Sequence, residues 1–256
     1  MAVHFTGPIL FAGKDQPRKW FQNLPIDKNP DYVVTFDDYT GVALDSTNDW
    51  TVVKDSGASA AIAADVESGV LLLSSTATTD NDGASVQGNE IFKVATGSTG
   101  RDIWFETKCK VSDADQTDFC IGLTVNFATN PEAMLAAADR IVFESDDGAA
   151  TLQVITEKDG TETATSLSST YDLADDTFVT LGFKVSGKNR SSAMVEFFVD
   201  RALVATHTTN IPDDENLTVG AMELSGNATG TKQLPLITYL RLKIDRSNKC
   251  QQQRKL

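Results

Sequence analysis

From Tyr32 onward, short apolar runs alternate with polar residues and are broken by Asp, Gly, Asn and Ser. That period of two is the mark of half-buried strands. The pattern predicts strands at Tyr32–Phe36, Trp50–Val53, Gly69–Leu73, Ile103–Val111, Phe119–Phe127, Arg140–Glu144, Thr151–Thr156 and Thr161–Leu167. It continues at Phe178–Ser186, Ala193–Val199, Ala202–Thr208, Leu217–Leu224 and Leu234–Ile244. Lys158-Asp159-Gly160 is a hairpin turn of the Asp-Gly kind. Many short strands at near-regular spacing indicate an all-β fold, an antiparallel jelly-roll β-sandwich. One short helix interrupts them: Asn130-Pro131-Glu132-Ala133-Met134-Leu135-Ala136-Ala137-Ala138 has a cap residue, a proline at the first helical position and good helix formers.

The first thirty residues break the pattern. They hold four of the seven prolines and show no period, so residues 1–30 are read as an extended N-terminal arm. Phe5, Ile9, Leu10, Phe11, Trp20 and Phe21 are costly to leave in water and are the candidate partner contacts. The sandwich is expected over 31–246, and 247–256 as a basic C-terminal tail.

Charge sharpens this division. The 256 residues carry a net charge of −14, yet 1–30 and 241–256 are basic. The 210 residues between them hold 12 Lys/Arg against 33 Asp/Glu. Such a body repels nucleic acid, so none is expected as a partner. No apolar run approaches the ~20 residues of a membrane helix, so no membrane is expected either. Three cysteines, Cys109, Cys120 and Cys250, make no disulfide framework, and no secretory leader is read, which points to a reducing cytoplasm. If Ile103–Val111 and Phe119–Phe127 pair across the turn 112–117, aligning their apolar sets needs a one-residue shift. That shift puts Cys109 and Cys120 on opposite faces, so free thiols are predicted.

The chain offers little to a nucleophile. Its histidines, His4 and His207, stand at opposite ends, and no G-x-S-x-G segment occurs. Glu157-Lys158-Asp159-Gly160-Thr161-Glu162 has the E-x-D-x-x-E spacing of paired-carboxylate glycosidases. It straddles a turn, and the reading is a solvated hairpin tip. Glu144-Ser145-Asp146-Asp147-Gly148 begins similarly but has Ala149 at the second glutamate position. No catalytic residue is assigned and no enzyme is expected. No cofactor is read; a structural calcium is the one metal question, at Asp80-Asn81-Asp82-Gly83, Asp113/Asp115/Asp118 or Asp213-Asp214-Glu215-Asn216. Trp50, Tyr39 and Tyr171 are the aromatic candidates for a sugar platform.

A family resemblance runs over about 200 residues. Its pieces are Phe36-Asp37-Asp38, Ile121-Gly122-Leu123, Asn130-Pro131 and Arg140-Ile141-Val142-Phe143-Glu144-Ser145-Asp146-Asp147-Gly148. Asp176 to Val185, Val195-Glu196-Phe197-Phe198-Val199-Asp200, Asn210-Ile211-Pro212 and Thr238-Tyr239-Leu240-Arg241-Leu242 follow. The chain resembles the concanavalin/laminin-G-like jelly roll of tailed-bacteriophage virion proteins. That resemblance implies a virion structural protein, a capsid decoration (cement) protein on the outer surface of the head, assembled in the host cytoplasm. Its implied partners are the major capsid protein or other virion proteins, and a homo-oligomer, a trimer by analogy. The alternative on the same fold is a carbohydrate-binding, lectin-like module or a tail/fibre-associated protein. The chain departs from the pattern at Asp200-Arg201, where Asp-Gly is usual, and at Thr238.

Overall fold

Strands whose alternate residues are Val, Ile, Leu and Phe bury that side by laying two sheets together. The computed structural model of the chain has this arrangement. It describes residues 32–37, 39, 43–47, 49–63, 69–75, 79–127, 130–226 and 233–245, with the backbone alone at 32–37 and 233–245. Residues 34–244 form one compact unit. Residues 1–33 and 245–256 form a second, almost wholly outside the described residues. The arm, its contact candidates Phe5, Ile9, Leu10, Phe11, Trp20 and Phe21, and the tail lie there.

In chain order the strands are β1 (Tyr32–Asp37), β2 (Thr51–Lys54), β3 (Ser59–Ile62), β4 (Val70–Ser74), β5 (Gly83–Gln87), β6 (Ile103–Cys109), β7 (Thr117–Thr124) and β8 (Arg140–Ser145). They continue as β9 (Gln153–Lys158), β10 (Thr161–Ser166), β11 (Val179–Ser186), β12 (Met194–Val199), β13 (Ala202–His207), β14 (Thr218–Ser225) and β15 (Gln233–Asp245). One sheet has eight strands, ordered β13-β12-β11-β6-β15-β4-β3, with β1 also on β15. The other has seven, ordered β10-β9-β8-β7-β14-β5-β2. Pairs within this path are antiparallel, as in β7–β8 and β8–β9.

The fold is the expected all-β jelly roll. β3 and β5 escaped the alternation reading because Ser-Ala-Ala-Ile and Gly-Ala-Ser-Val-Gln offer small residues in place of a clear apolar side. The helix shrinks to a single 3₁₀ turn, Pro131–Met134, and Asn130 provides no side-chain cap. The Asp159-Gly160 hairpin is present, with both residues at positive φ (50° and 72°) and Lys158 paired to Thr161. Asp200 and Arg201 fill an equivalent two-residue turn at φ 47° and 71°. The departure from Asp-Gly thus keeps the hairpin, with an arginine in a conformation that glycine adopts at less cost.

The cysteine register needs correction. Cys109 and Cys120 are free and buried as predicted, but β6 and β7 do not pair. The segment between them carries the chain from one sheet to the other. β6 lies between β11 and β15, β7 between β8 and β14. The thiols stay apart because they belong to different sheets, not because a hairpin slips.

Between the sheets lies the main core. Phe143 of the seven-stranded sheet meets Phe197 of the other edge-on at 5.4 Å and Phe183 at 6.4 Å. Phe105 stacks on Phe183 at 4.8 Å. Each fully buried side chain of this size contributes roughly 1.5–3 kcal/mol. A second, smaller core occupies the far side of the seven-stranded sheet: Cys120, Phe127, Met134, Val142, Ile155, Met222 and Leu224. Several strands of that sheet are therefore buried on both faces, β7, β8 and β14 over their whole length.

Candidate functional site

The outer face of the seven-stranded sheet carries the most concentrated chemistry among the described residues. Alternation along β8 sends Ile141 and Phe143 to the main core and Arg140, Val142 and Glu144 outward. Register aligns Arg140 with Glu157 on β9, and Glu157 with Glu162 on β10. One row thus crosses three strands. Arg140 Nε donates to Glu157 Oε2 at 2.7 Å, Nη2 to Glu162 Oε2 at 2.9 Å and Nη1 to Glu144 Oε2 at 2.5 Å. A guanidinium has the fork of donors this needs.

Burial is graded across the cluster. The Arg140 side chain is 5% exposed, Glu144 10%, Glu157 14% and Glu162 42%. Three carboxyl groups share one cation, so one of them favours its proton. Glu144, the most buried, is pushed up to about 7 by burial, against the pull of Arg140 and with added repulsion from Asp146 and Glu162. Burial opposes the Arg140 charge, but Glu144 and Glu157 more than offset it and hold the guanidinium above its ordinary value. Cys120, opposite Glu144 in the ladder, is raised by burial and by Glu144. Further along the same face, Asp118 is raised to about 6, chiefly by burial. Its Oδ1 accepts the Asp147 N–H at 2.6 Å.

The middle of the face is walled off. The β7–β8 connection, described over 125–127 and 130–139, lays Phe127 and Met134 onto it. Gln87 of β5 holds this segment from both ends of its amide: Nε2 donates to Asn126 Oδ1 and Oε1 accepts the Phe127 N–H, each at 3.0 Å. On the other side, Ala138 O accepts the Gly160 N–H at 2.9 Å and Asp139 Oδ1 the Asp159 N–H at 3.2 Å. Gly220 beneath has room for no side chain, since a Cβ there would lie 2.7 Å from the Phe127 ring.

Another buried titratable group, His207, sits on the inner side. Thr156 Oγ1 donates to Thr209 O at 3.1 Å, so it accepts from His207 Nδ1 at 3.0 Å. Nε2 is then the acceptor for the Thr165 hydroxyl at 2.9 Å. Burial holds this imidazole below its ordinary pKa.

Several sequence expectations change here. The tip from Asp159 to Glu162 is exposed as expected, but Glu157 and Glu162 are not free in it: with Glu144 they converge on Arg140. The sequence treated the two acidic strings separately, and the signal it passed over was a lone arginine at the start of an apolar strand. Trp50 and Tyr39 are no sugar platform. They are buried in the main core with ring centroids 6.2 Å apart. Tyr171 ends a 3₁₀ turn and is half-buried against that core. Among the described residues, no three His, Cys, Asp or Glu side chains are grouped as metal ligands. Asp213 and Asp214 instead pair with Lys158. No helix among them is long and apolar enough to cross a membrane.

No protein-family model matches the sequence, and no curated protein matches it. Solved structures share its fold. An endo-1,3-beta-glucanase from Streptomyces sioyaensis superposes with a TM-score of 0.56 at 13% identity, over 86% of this chain and 98% of that one. A beta-glucanase from Bacillus licheniformis gives 0.53 at 15% identity, over 82% and 97%. An endo-beta-1,4-glucuronan lyase from the fungus Trichoderma reesei gives 0.51 at 11% identity, over 76% and 93%. These likenesses overturn the expectation that the chain is no enzyme: glucanases and a lyase are built on this sandwich, so the fold is no argument against catalysis. They lend no support to a virion or capsid role. What they establish is the architecture: the chain has the concanavalin-like jelly-roll fold found in these carbohydrate-active proteins.

Proposed function

We propose that the chain is a carbohydrate-active jelly roll that engages a neutral polysaccharide of the β-glucan class on the outer ledge formed by β9 and β10, beneath which Arg140 and Glu144 of β8 are buried. The observation that carries this reading is the Glu162 carboxylate, fixed by the buried Arg140 yet 42% exposed. A pre-positioned acceptor recognises sugar hydroxyls without the cost of ordering a free side chain. The ledge sets three carboxyl groups against one guanidinium on an acidic body, which disfavours polyuronates and other polyanions. The glucanase likenesses support the substrate class; the identity is low, and the cluster itself is the argument for the site.

A second reading, glycosidic cleavage at the same ledge, rests on Glu144. Its carboxyl, held up to about 7, keeps a proton at a pH where an ordinary glutamate has lost it, as a general acid requires. Isothermal titration with mixed-linkage and β-1,3-glucan oligosaccharides and with oligoglucuronates tests the proposal, and reducing-end release tests cleavage in the same samples. Binding of the neutral glucans, absent for the glucuronates and weakened about tenfold or more by Glu162→Ala, is the expected result. Equal binding of both classes, or neutral-glucan binding indifferent to Glu162, overturns it.

A further inference from the structure

The wall over the middle of the sheet bears on what length of ligand the ledge accepts, and this inference rests on the function proposed above. A saccharide lying across the face of the seven-stranded sheet would have to pass over β7 and β14. That path is filled. Phe127 and Met134 pack on Cys120, Met222 and Val142, and Gly220 is in contact with the Phe127 ring. The wall is fastened on both sides, to Gln87 on β5 and to the turn between β9 and β10. On the far side β10 is an edge strand, with Glu162 and Ser166 exposed. Asn210 Nδ2 donates to Glu162 O at 3.1 Å and to Thr163 Oγ1 at 2.9 Å, which closes part of that edge to strand pairing.

We propose that the Phe127–Met134 wall makes this a short site, one that takes an oligosaccharide or a chain end and not the interior of a long polysaccharide laid across the sheet. Phe127 and Met134 are then specificity-determining residues. β8 is buried over its whole length, so the open strip is β9 and β10, two strands of about 4.8 Å spacing that give a width of about 10 Å and room for roughly two or three pyranose rings.

The test is the dependence of affinity on ligand length, measured by isothermal titration with a neutral glucan oligosaccharide series and the full-length protein. Affinity rises with each added ring up to about three. Beyond that, affinities per molecule differ by less than about twofold, the scatter expected of additive energetics. The paired variant Phe127→Ala/Met134→Ala, checked for folding by its near-ultraviolet circular dichroism, extends the rise to longer chains. Gln87→Ala, which unfastens the wall and leaves its apolar contacts, does so to a smaller degree. A wild-type affinity that keeps climbing well past three rings overturns the short site and leaves the proposed function standing. Absence of binding at every length instead overturns the function itself.

Discussion

Arg140 and His207 are buried polar side chains served by the same two strands, and the protein satisfies them in opposite ways. The β9–β10 hairpin offers Glu157 and Glu162 to one side and Thr156 and Thr165 to the other. On the outer face a cation is buried with three carboxyl groups. On the inner face a neutral imidazole is buried with two hydroxyls. Burial disfavours charge in both places, but its consequences differ. The outer cluster resolves the conflict by pairing and by keeping a proton on one acid. The inner site avoids charge altogether.

The largest test removes the cation. Arg140→Met leaves Glu144 and Glu157 buried without their donor, and breaking a buried pair in this way costs about 3–5 kcal/mol. Chemical denaturation measures it. A loss under about 1 kcal/mol, the scale of an exposed pair, means the carboxyl groups are solvated and the contrast with His207 is lost. His207→Leu is milder. Thr156 keeps its bond to Thr209 O, while Thr165 loses its acceptor, so the expected loss is about 1–3 kcal/mol for a buried polar group left unpaired.

Acidity separates the two centres by sign. Glu144 goes from an unfolded value of 4.5 to about 7 in the folded protein, so the native state binds the extra proton between those values. Its contribution to stability is complete below about pH 4.5 and is lost as pH rises through about 7. Asp118, raised from 3.8 to about 6, acts in the same direction. His207 does the reverse. Its folded value lies below 6.5, so its contribution is complete above pH 6.5 and is lost as pH falls. Melting curves of wild type and Glu144→Gln from pH 4.5 to 8 isolate the first effect. Relative to the variant, wild type loses up to about 3 kcal/mol across that interval. A gain in place of the loss means that Arg140 keeps Glu144 ionised throughout.

The contrast also explains what the sequence could and could not show. Alternation in β11 and β12 is plain: Leu181, Phe183 and Val185 pair with Val199, Phe197 and Val195 on one side of their sheet, where Phe183 and Phe197 meet Phe143 across the core, and the period of two reports it. In β8 the same period is present, yet Arg140-Ile141-Val142-Phe143-Glu144-Ser145 is buried at all six positions. Its outward residues meet a second core built by a connection that local patterning cannot place. Glu157 and Glu162 are four residues of turn and strand apart and look like a hairpin tip until register sets both beside Arg140. The two-residue turn that made them look solvated is also what aligns them. The thiols of Cys109 and Cys120 are free as predicted, but the strand pairing read for them is wrong for a related reason: adjacency in sequence suggests a hairpin, and roughly a third of consecutive strands are not neighbours in a sheet.

The smallest effect on stability falls where the largest effect on binding is expected. Glu162 is the exposed end of the Arg140 row, and an exposed ion pair contributes about 0–1 kcal/mol. Glu162→Ala leaves Arg140 its bonds to Glu144 and Glu157, and water reaches the freed Nη2 donor. The variant therefore melts within a few degrees of wild type, as under about 1 kcal/mol implies for a chain of this size. It keeps the burial that raises Glu144 but removes the repulsion from Glu162, so the pH response of Glu144 persists with its folded pKa shifted downward. Its glucan affinity nonetheless drops about tenfold or more if the ledge is the saccharide site. A variant equally stable and equally good at binding would assign Glu162 to the surface, and would confine the outer centre to Arg140, Glu144 and Glu157, a structural counterpart of His207.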